Sequence, residues 1–109
     1  MTYPLVTRNA HIYEAIDDER ARQERLKAEG KFTFTCADPQ MTDGARIAVL
    51  GEEFGEVCRA ALERGVDGEQ SYDKHGKDLR KELIQLCAVG VAMIEALDRR
   101  ERDAEDKQA

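Results

Sequence analysis

The sequence predicts an all-α protein of three long helices, and three observations support this. Apolar residues recur at helical spacing along residues 47–61 and 79–97. The one run of alternating character, residues 31–41, has no partner run elsewhere, so it does not predict a sheet. The polar connection between the two apolar stretches is short, which predicts that their helices lie antiparallel as neighbours.

The beginning of the chain is expected to form an arm and a first helix. Residues 1–8 predict an irregular arm, because Pro4 is unsuited to a helix interior. Asn9 can cap a helix that runs to about Glu29. Gly30 is expected to end this helix, since glycine readily takes the left-handed conformation found at helix ends.

The middle of the chain is expected to form a loop and a second helix. Residues 31–41 are interpreted as an ordered loop. Thr42 can cap the second helix, and Asp43 is favourably placed near the positive end of the helix dipole. This helix is expected to continue to about Arg64, and a polar connection over residues 66–77 follows.

The third helix is expected to run from about Lys77 to Arg99 or beyond. Residues 102–109 are charged and lack apolar spacing, so we expect a flexible tail there. A chain of 109 residues fits one domain with a modest core, so residues 1–109 are interpreted as a single helical domain.

The third helix carries apolar residues on more than one side. Val89 and Met93 lie on one side, and Ile84 and Val91 lie on the opposite side. One neighbouring helix cannot cover both sides, so we expect helices of different chains to form inter-subunit four-helix bundles. This predicts a homo-oligomer that is at least a dimer.

Charge and cysteine content narrow the classes of partner and compartment. A net charge of −6 argues against a nucleic-acid polymer, whose binding depends largely on lysine and arginine. No apolar stretch reaches the roughly 20 residues of a membrane span, which argues against a membrane partner. Cys36, Cys58 and Cys87 are widely spaced and no secretory segment is evident, which predicts free thiols in a cytoplasm. Cys58 and Cys87 are expected in the core.

Three acids accompany the apolar stripe of the second helix. Glu53 and Glu56 point the same way beside that stripe, and Glu52 falls next to them. Carboxylates this close raise one another's proton affinity unless a cation lies among them, so the pattern suggests Mg²⁺ or Mn²⁺. The alternative is an ordinary solvated helix face, because surface glutamates are common.

A fourth acid lies on the third helix. Glu82 lies between Leu79 and Leu86 of the apolar pattern, so it is drawn toward the core. A buried carboxylate requires a counter-charge or a metal. Gln85 follows one turn later on the same side and can supply an amide oxygen as a weaker ligand.

These motifs resemble those of a known family. Glu53-x-x-Glu56, 25 intervening residues and Glu82-x-x-Gln85 resemble the E-x-x-E, E-x-x-D signature of the MazG-like all-α nucleoside triphosphate pyrophosphohydrolases. The resemblance covers about residues 12–97. Gln85 stands where the family has an aspartate, so the number of metal ions stays open. The segments that resemble small phage and actinobacterial members are residues 19–23, 49–57, 79–85 and 94–97.

The resemblance implies hydrolysis of a nucleoside or deoxynucleoside triphosphate to the monophosphate and pyrophosphate, by attack of water on the α-phosphorus. Glu53, Glu56 and Glu82, with help from Gln85, are expected to hold Mg²⁺ or Mn²⁺. Glu52 or Glu53 is expected to act as the base. The phage-like segments suggest control of nucleotide pools in a bacterium or a phage-infected host, and dGTP is one candidate substrate. The resemblance also implies that the homo-oligomer is a tetramer or a dimer.

Seven further residues are candidate nucleotide ligands. On the first helix, cationic side chains can reach phosphates and an amide can contact a base or sugar edge. One of the loop's two phenylalanines can stack on a base, and the basic cluster before Glu82 can clamp the β- and γ-phosphates. Each candidate also has a structural interpretation without a ligand. The polar residues of the first helix can form a solvated helix face, the phenylalanines can cover the core, and the basic cluster can be a solvated turn. The candidates are Arg22, Gln23, Lys27, Lys31, Phe34, Lys74 and Lys77.

Two other classes of function remain open. The acids can serve only to keep a non-catalytic helical assembly or adaptor module soluble. Alternatively, the chain can be a related all-α enzyme that releases phosphate stepwise. The identity of the product separates the two enzyme classes.

Overall fold

The computed structural model describes residues 4–64 and 77–108, and the fold is all-α. No strand occurs within these ranges, and residues 31–41 form the ordered loop that the sequence predicts. The helices are α1 (Pro4–Arg8), α2 (Ala10–Ala28), α3 (Asp43–Arg64) and α4 (Lys77–Gln108).

The ends of α2 and α3 follow the predicted chemistry. Gly30 takes a φ of 79°, and the Lys31 N–H donates to the Leu26 carbonyl at 2.8 Å, which closes α2 with a left-handed glycine. At the start of α3, the Ala45 N–H donates to Thr42 Oγ1 at 3.1 Å. Thr42 therefore caps the helix, as expected.

The N-terminal arm is helical where we expected irregular chain. Pro4 begins α1, a position that suits proline because its missing N–H would have no partner within the helix. Asn9 occupies the N-cap position of α2 without capping it, because its Nδ2 instead donates to the Leu5 carbonyl at 2.9 Å. The prediction of an irregular arm over residues 1–8 is therefore wrong for residues 4–8.

Helix α4 continues to Gln108, through most of the tail that the sequence predicts to be flexible. An established helix extends easily through alanine and charged residues of good helix propensity, even without an apolar stripe. Arg100 also ties this end of α4 to Asp43 of α3, with Nη2 2.9 Å from Oδ1.

Helix α4 is the centre of the fold, because it packs against both α2 and α3. Asp43 at the start of α3 pairs with Arg100 near the end of α4. Further along α3, the pKa of Glu53 is raised by the charge of Glu82, which lies near the start of α4. The two helices are therefore antiparallel, as predicted. Small side chains let the elements approach closely. The core consists of Cys36, Ala37, Val89 and Ala92, with Met41, Val49, Leu50 and Met93 packed against it.

The single chain leaves apolar faces of α3 and α4 uncovered. Cys58 and Cys87 are exposed, so the prediction that both lie in the core is wrong, whereas Cys36 is buried. Periodicity places a residue on an apolar face without saying whether the same chain covers that face. Within the described ranges, no helix has the length and apolar character to cross a bilayer. The exposed large side chains on α3 and α4 are Ile47, Phe54, Leu62, Leu83, Val91, Ile94 and Leu97.

Candidate functional site

A cavity of about 390 Å³ lies where α2, the loop, α3 and α4 meet. Its wall combines polar groups with apolar and aromatic side chains, as small-molecule sites commonly do. The acids and amides of the wall are Glu19, Gln23, Glu52, Glu53 and Gln85. The apolar and aromatic residues are Phe32, Phe34, Met41, Val49 and Val89, and the others are Arg22, Thr35 and Cys36.

Glu53 is a half-buried acid of this cavity. Burial raises the pKa of its carboxyl group, and four neighbouring negative charges raise it further: Glu82, Glu56, Glu19 and Glu52. Its Oε2 atom is buried and has no hydrogen-bond partner among residues 4–64 and 77–108. A buried carboxylate oxygen without a donor, placed among other acids, is unfavourable unless a proton or a cation joins it.

The acids of the predicted metal set influence one another electrostatically. Glu56 is exposed on α3 and Glu82 is half-buried on α4, and both raise the pKa of Glu53. Gln85 lines the same cavity and adds an amide oxygen. Among the described residues, no three His, Cys, Asp or Glu side chains already form a metal-binding group. Like charges favour such a spread arrangement, and a set of oxygen donors fits Mg²⁺ or Mn²⁺.

The predicted base residues differ in their surroundings. Glu52 is exposed and lines the cavity next to the half-buried Glu53. An exposed carboxylate on the wall keeps contact with water, so Glu52 is suited to accept a proton from a water molecule that enters the cavity. Glu53 is better suited to hold a cation, because its uncompensated oxygen is directed away from solvent.

Glu19 is an acid of the site that the sequence analysis did not identify. Its side chain is only 13% exposed, lines the cavity and pairs with Arg22 at 2.9 Å. Its charge also raises the pKa of Glu53. The available signal was its position one turn before Gln23, which the sequence analysis had named as a candidate nucleotide ligand.

Three of the seven predicted nucleotide ligands line the cavity: Arg22, Gln23 and Phe34. The structure does not bring the other two described side chains to it. Lys27 pairs with Asp38 and lines a different cavity. Lys31 is exposed and lies 3.5 Å from Glu29. Both lysines therefore have acidic partners away from Glu53.

The remaining two predicted ligands precede the body of α4. Lys74 lies outside the described residues. Lys77 is the first residue of α4, and only its backbone is described. The expected phosphate clamp before Glu82 therefore stays a prediction.

Buried arginine fixes the loop that supplies the aromatic wall. Arg46 of α3 is 3% exposed, and it donates from Nε to the Cys36 carbonyl at 3.0 Å and from Nη2 to the Asp38 carbonyl at 2.6 Å. Arg99 of α4 donates to the Ala37 carbonyl between them. Three consecutive carbonyls of the loop are thereby bonded to α3 and α4, a role that the sequence analysis did not assign to either arginine.

Comparisons with protein-family models, with curated proteins and with solved structures found no match to this chain.

Proposed function

We propose that this chain is a metal-dependent (d)NTP pyrophosphohydrolase of the MazG-like all-α type. The observation that carries the proposal is Glu53, whose buried Oε2 has no partner in the described part of the chain and whose neighbours are other acids. An oxygen in that position gains most from a divalent cation, and the Glu53 residue lines a cavity that also contains Phe32 and Phe34. A metal-binding acid next to aromatic rings fits a ligand with both phosphates and a base.

The proposed metal ligands are Glu53, Glu56 and Glu82, with Gln85 as a neutral fourth. A bound Mg²⁺ or Mn²⁺ would neutralise triphosphate charge and lower the pKa of a coordinated water. Glu52, exposed on the cavity wall, takes the proton of the attacking water. Cleavage between the α- and β-phosphorus follows from the sequence resemblance.

The nucleotide itself is proposed to occupy the cavity of about 390 Å³, which lies in the usual range for small-molecule sites. Phe34, with 46% of its surface exposed, offers a ring face for stacking on the base. Arg22 now pairs with Glu19 and can exchange that partner for a phosphate oxygen. The resemblance to phage proteins makes dGTP the first substrate to test.

The test is a panel of eight ribo- and deoxynucleoside triphosphates with Mg²⁺ or Mn²⁺, assayed for pyrophosphate and orthophosphate. We expect equal amounts of monophosphate and pyrophosphate from at least one deoxynucleotide. Stepwise orthophosphate would instead assign the chain to the related class of all-α phosphate-releasing enzymes. If the folded, metal-loaded protein hydrolyses nothing, the enzyme proposal is refuted.

A non-catalytic assembly is separated by thermal unfolding with and without ligand. Ligands that bind the native state raise the unfolding midpoint, by about 2.7 kcal/mol of added stability at a concentration of 100 Kd. We expect Mn²⁺ together with a triphosphate to raise the midpoint more than either alone. An unchanged midpoint would favour the adaptor class.

The exposed apolar faces support assembly of the chain with copies of itself. Phe54 and Ile94 are each 58% exposed, and Leu62 is 68% exposed. Exposed apolar side chains in this number on α3 and α4 favour inter-subunit four-helix bundles. We expect light scattering after size exclusion to give the mass of a dimer or a tetramer. A monomer at micromolar concentration would contradict the bundle arrangement.

A further inference from the structure

Gln23 is the polar residue of the cavity whose hydrogen-bonding direction the structure defines. It lies on α2, is only 8% exposed and lines the cavity. Arg20, one turn earlier, donates from Nη1 to Gln23 Oε1 at 3.0 Å. Arginine has donors and no acceptor, so the Gln23 atom that faces it must be the carbonyl oxygen. The amide nitrogen therefore lies on the other branch of the side chain.

Arg20 is itself held on several sides. It is 7% exposed, and its Nε and Nη2 donate to the two carboxylate oxygens of Glu95 at 2.6 and 3.0 Å. Its Nη2 also donates to Glu24 at 2.7 Å. A fork-to-fork pair of this kind fixes the plane of the guanidinium group. The cation beside Gln23 therefore keeps one position.

The amide nitrogen of Gln23 makes no hydrogen bond within the described part of the chain. The Thr35 hydroxyl, which lines the same cavity, donates to Glu24 and accepts from the Ala37 N–H, so it is already engaged. Gln23 lines this cavity together with Phe32 and Phe34. A ligand in the cavity that offers an acceptor can therefore use the free donor of Gln23.

We propose that Arg20 is a positioning residue that makes Gln23 a hydrogen-bond donor toward the ligand, so that the cavity selects a base with a carbonyl oxygen at that edge. This step rests on the proposed function. A carbonyl at that place accepts from the Gln23 amide nitrogen. An exocyclic amino group at the same place sets donor against donor. Oxo bases such as hypoxanthine, guanine and uracil are preferred to adenine and cytosine.

The experiment uses two pairs of monophosphates that exchange an oxo group and the adjacent ring N–H for an amino group and an unprotonated ring nitrogen. IMP is compared with AMP, and UMP with CMP, by calorimetric titration of the full chain without divalent metal. A well-placed bidentate contact discriminates between bases by a factor of about 5 to 150, so for this single donor we expect about tenfold tighter binding of each oxo partner. Equal or tighter binding of AMP and CMP overturns the inference, and so does the absence of binding by all four.

Variants separate reading from positioning. Gln23→Glu keeps an acceptor for Arg20 and removes the donor, so its preference for the oxo partners should vanish. Arg20→Lys cannot serve Glu95 and Gln23 together, so the oxo-to-amino ratio should fall toward one even if overall stability changes little. Arg25→Lys, an exposed substitution on the same helix, is the matched control and should leave the ratio intact. Unchanged ratios in Gln23→Glu would overturn the inference.

Failure of this inference differs from failure of the proposed function, because binding of monophosphates needs neither metal nor hydrolysis. Triphosphate hydrolysis without an oxo preference refutes the role of Gln23 alone. An oxo preference without any hydrolysis refutes the enzyme and leaves the base-reading site in place.

Discussion

Glu53→Gln is expected to abolish nucleotide hydrolysis and, at the same time, to make the protein more resistant to unfolding. The glutamine keeps the size of the side chain and loses the charge that the proposed cation requires. We expect at least about a 100-fold loss of turnover, the range for a removed catalytic proton acceptor or an essential ligand group. Glu56→Gln and Glu82→Gln are expected to lose turnover similarly, with their helices intact by circular dichroism.

The gain in stability follows from the direction of the pKa shift. Burial and neighbouring acids raise the pKa of Glu53 above its ordinary value of 4.5, so the folded protein binds this proton more tightly than the unfolded chain. The stability linked to that proton is fully present below pH 4.5 and is lost as pH rises through the raised pKa. Glutamine cannot lose a proton. The difference in free energy of unfolding between Glu53→Gln and the wild type should therefore be largest near pH 7 and should disappear below pH 4.5.

The measurement is the urea midpoint at pH 7 and at pH 4, at one fixed protein concentration because assembly makes stability concentration-dependent. Glu63→Gln is the matched control on the same helix, since Glu63 is exposed and, among the residues that the structure describes, pairs with Arg59 alone. It should leave turnover unchanged and gain no stability at pH 7. Mn²⁺ should stabilise the wild type and the control, and not Glu53→Gln. A variant with wild-type turnover would mean that Glu53 is outside the reacting site.

The helices themselves were predictable because they depend on local signals. Apolar spacing located α3 and α4. Gly30 marked the end of α2 because glycine readily takes the left-handed conformation, and Thr42 marked the start of α3 because its hydroxyl caps a helix N–H. Exposure was not predictable in the same way. Cys87 lies in an apolar stretch and is exposed, because burial depends on which faces the neighbouring helices cover. Apolar spacing also did not predict how far α4 extends, because the helix continues through the tail without an apolar stripe.

The site was predictable where one helix supplies neighbouring groups and not where distant segments meet. Glu52 and Glu53 are adjacent in sequence, and both line the cavity. Spacing within α2 places Glu19 on the same side as Gln23, but Glu19 joins the two acids of α3 only because α2 and α3 both pack against α4 around one cavity. Lys27 shows the converse: its charge suited a phosphate, but Asp38, eleven residues later, folds back and binds it. Tertiary contacts decided both outcomes.

Arg46→Met is expected to be the most destabilising single substitution on α3. Methionine fills much of the same volume but leaves the Cys36 and Asp38 carbonyls without the donors that Arg46 provides at 3.0 and 2.6 Å. Arg46 also pairs with Asp43 at 2.9 Å. Unsatisfied buried acceptors cost about 1–3 kcal/mol each, so we expect a loss of about 3 kcal/mol in the free energy of unfolding. Arg59→Met, which removes exposed pairs with Glu63 at 3.2 Å and with Glu56 at 3.9 Å, should cost less than about 0.5 kcal/mol.

The two arginine variants also test whether the loop and the cavity are one structural unit. Arg46 is not one of the residues that line the cavity, yet it holds the backbone at Cys36, which lines the cavity together with Thr35. If the loop depends on that bond, Arg46→Met should weaken IMP binding under conditions where denaturation shows the protein still folded. Arg46→Lys can donate to only some of these carbonyls, so its free energy of unfolding should lie between those of Arg46→Met and the wild type. Equal stability of Arg46→Met and Arg59→Met would mean that the loop is held by Arg99 and Lys27 instead, and that α3 contributes the acids of the site without shaping its aromatic wall.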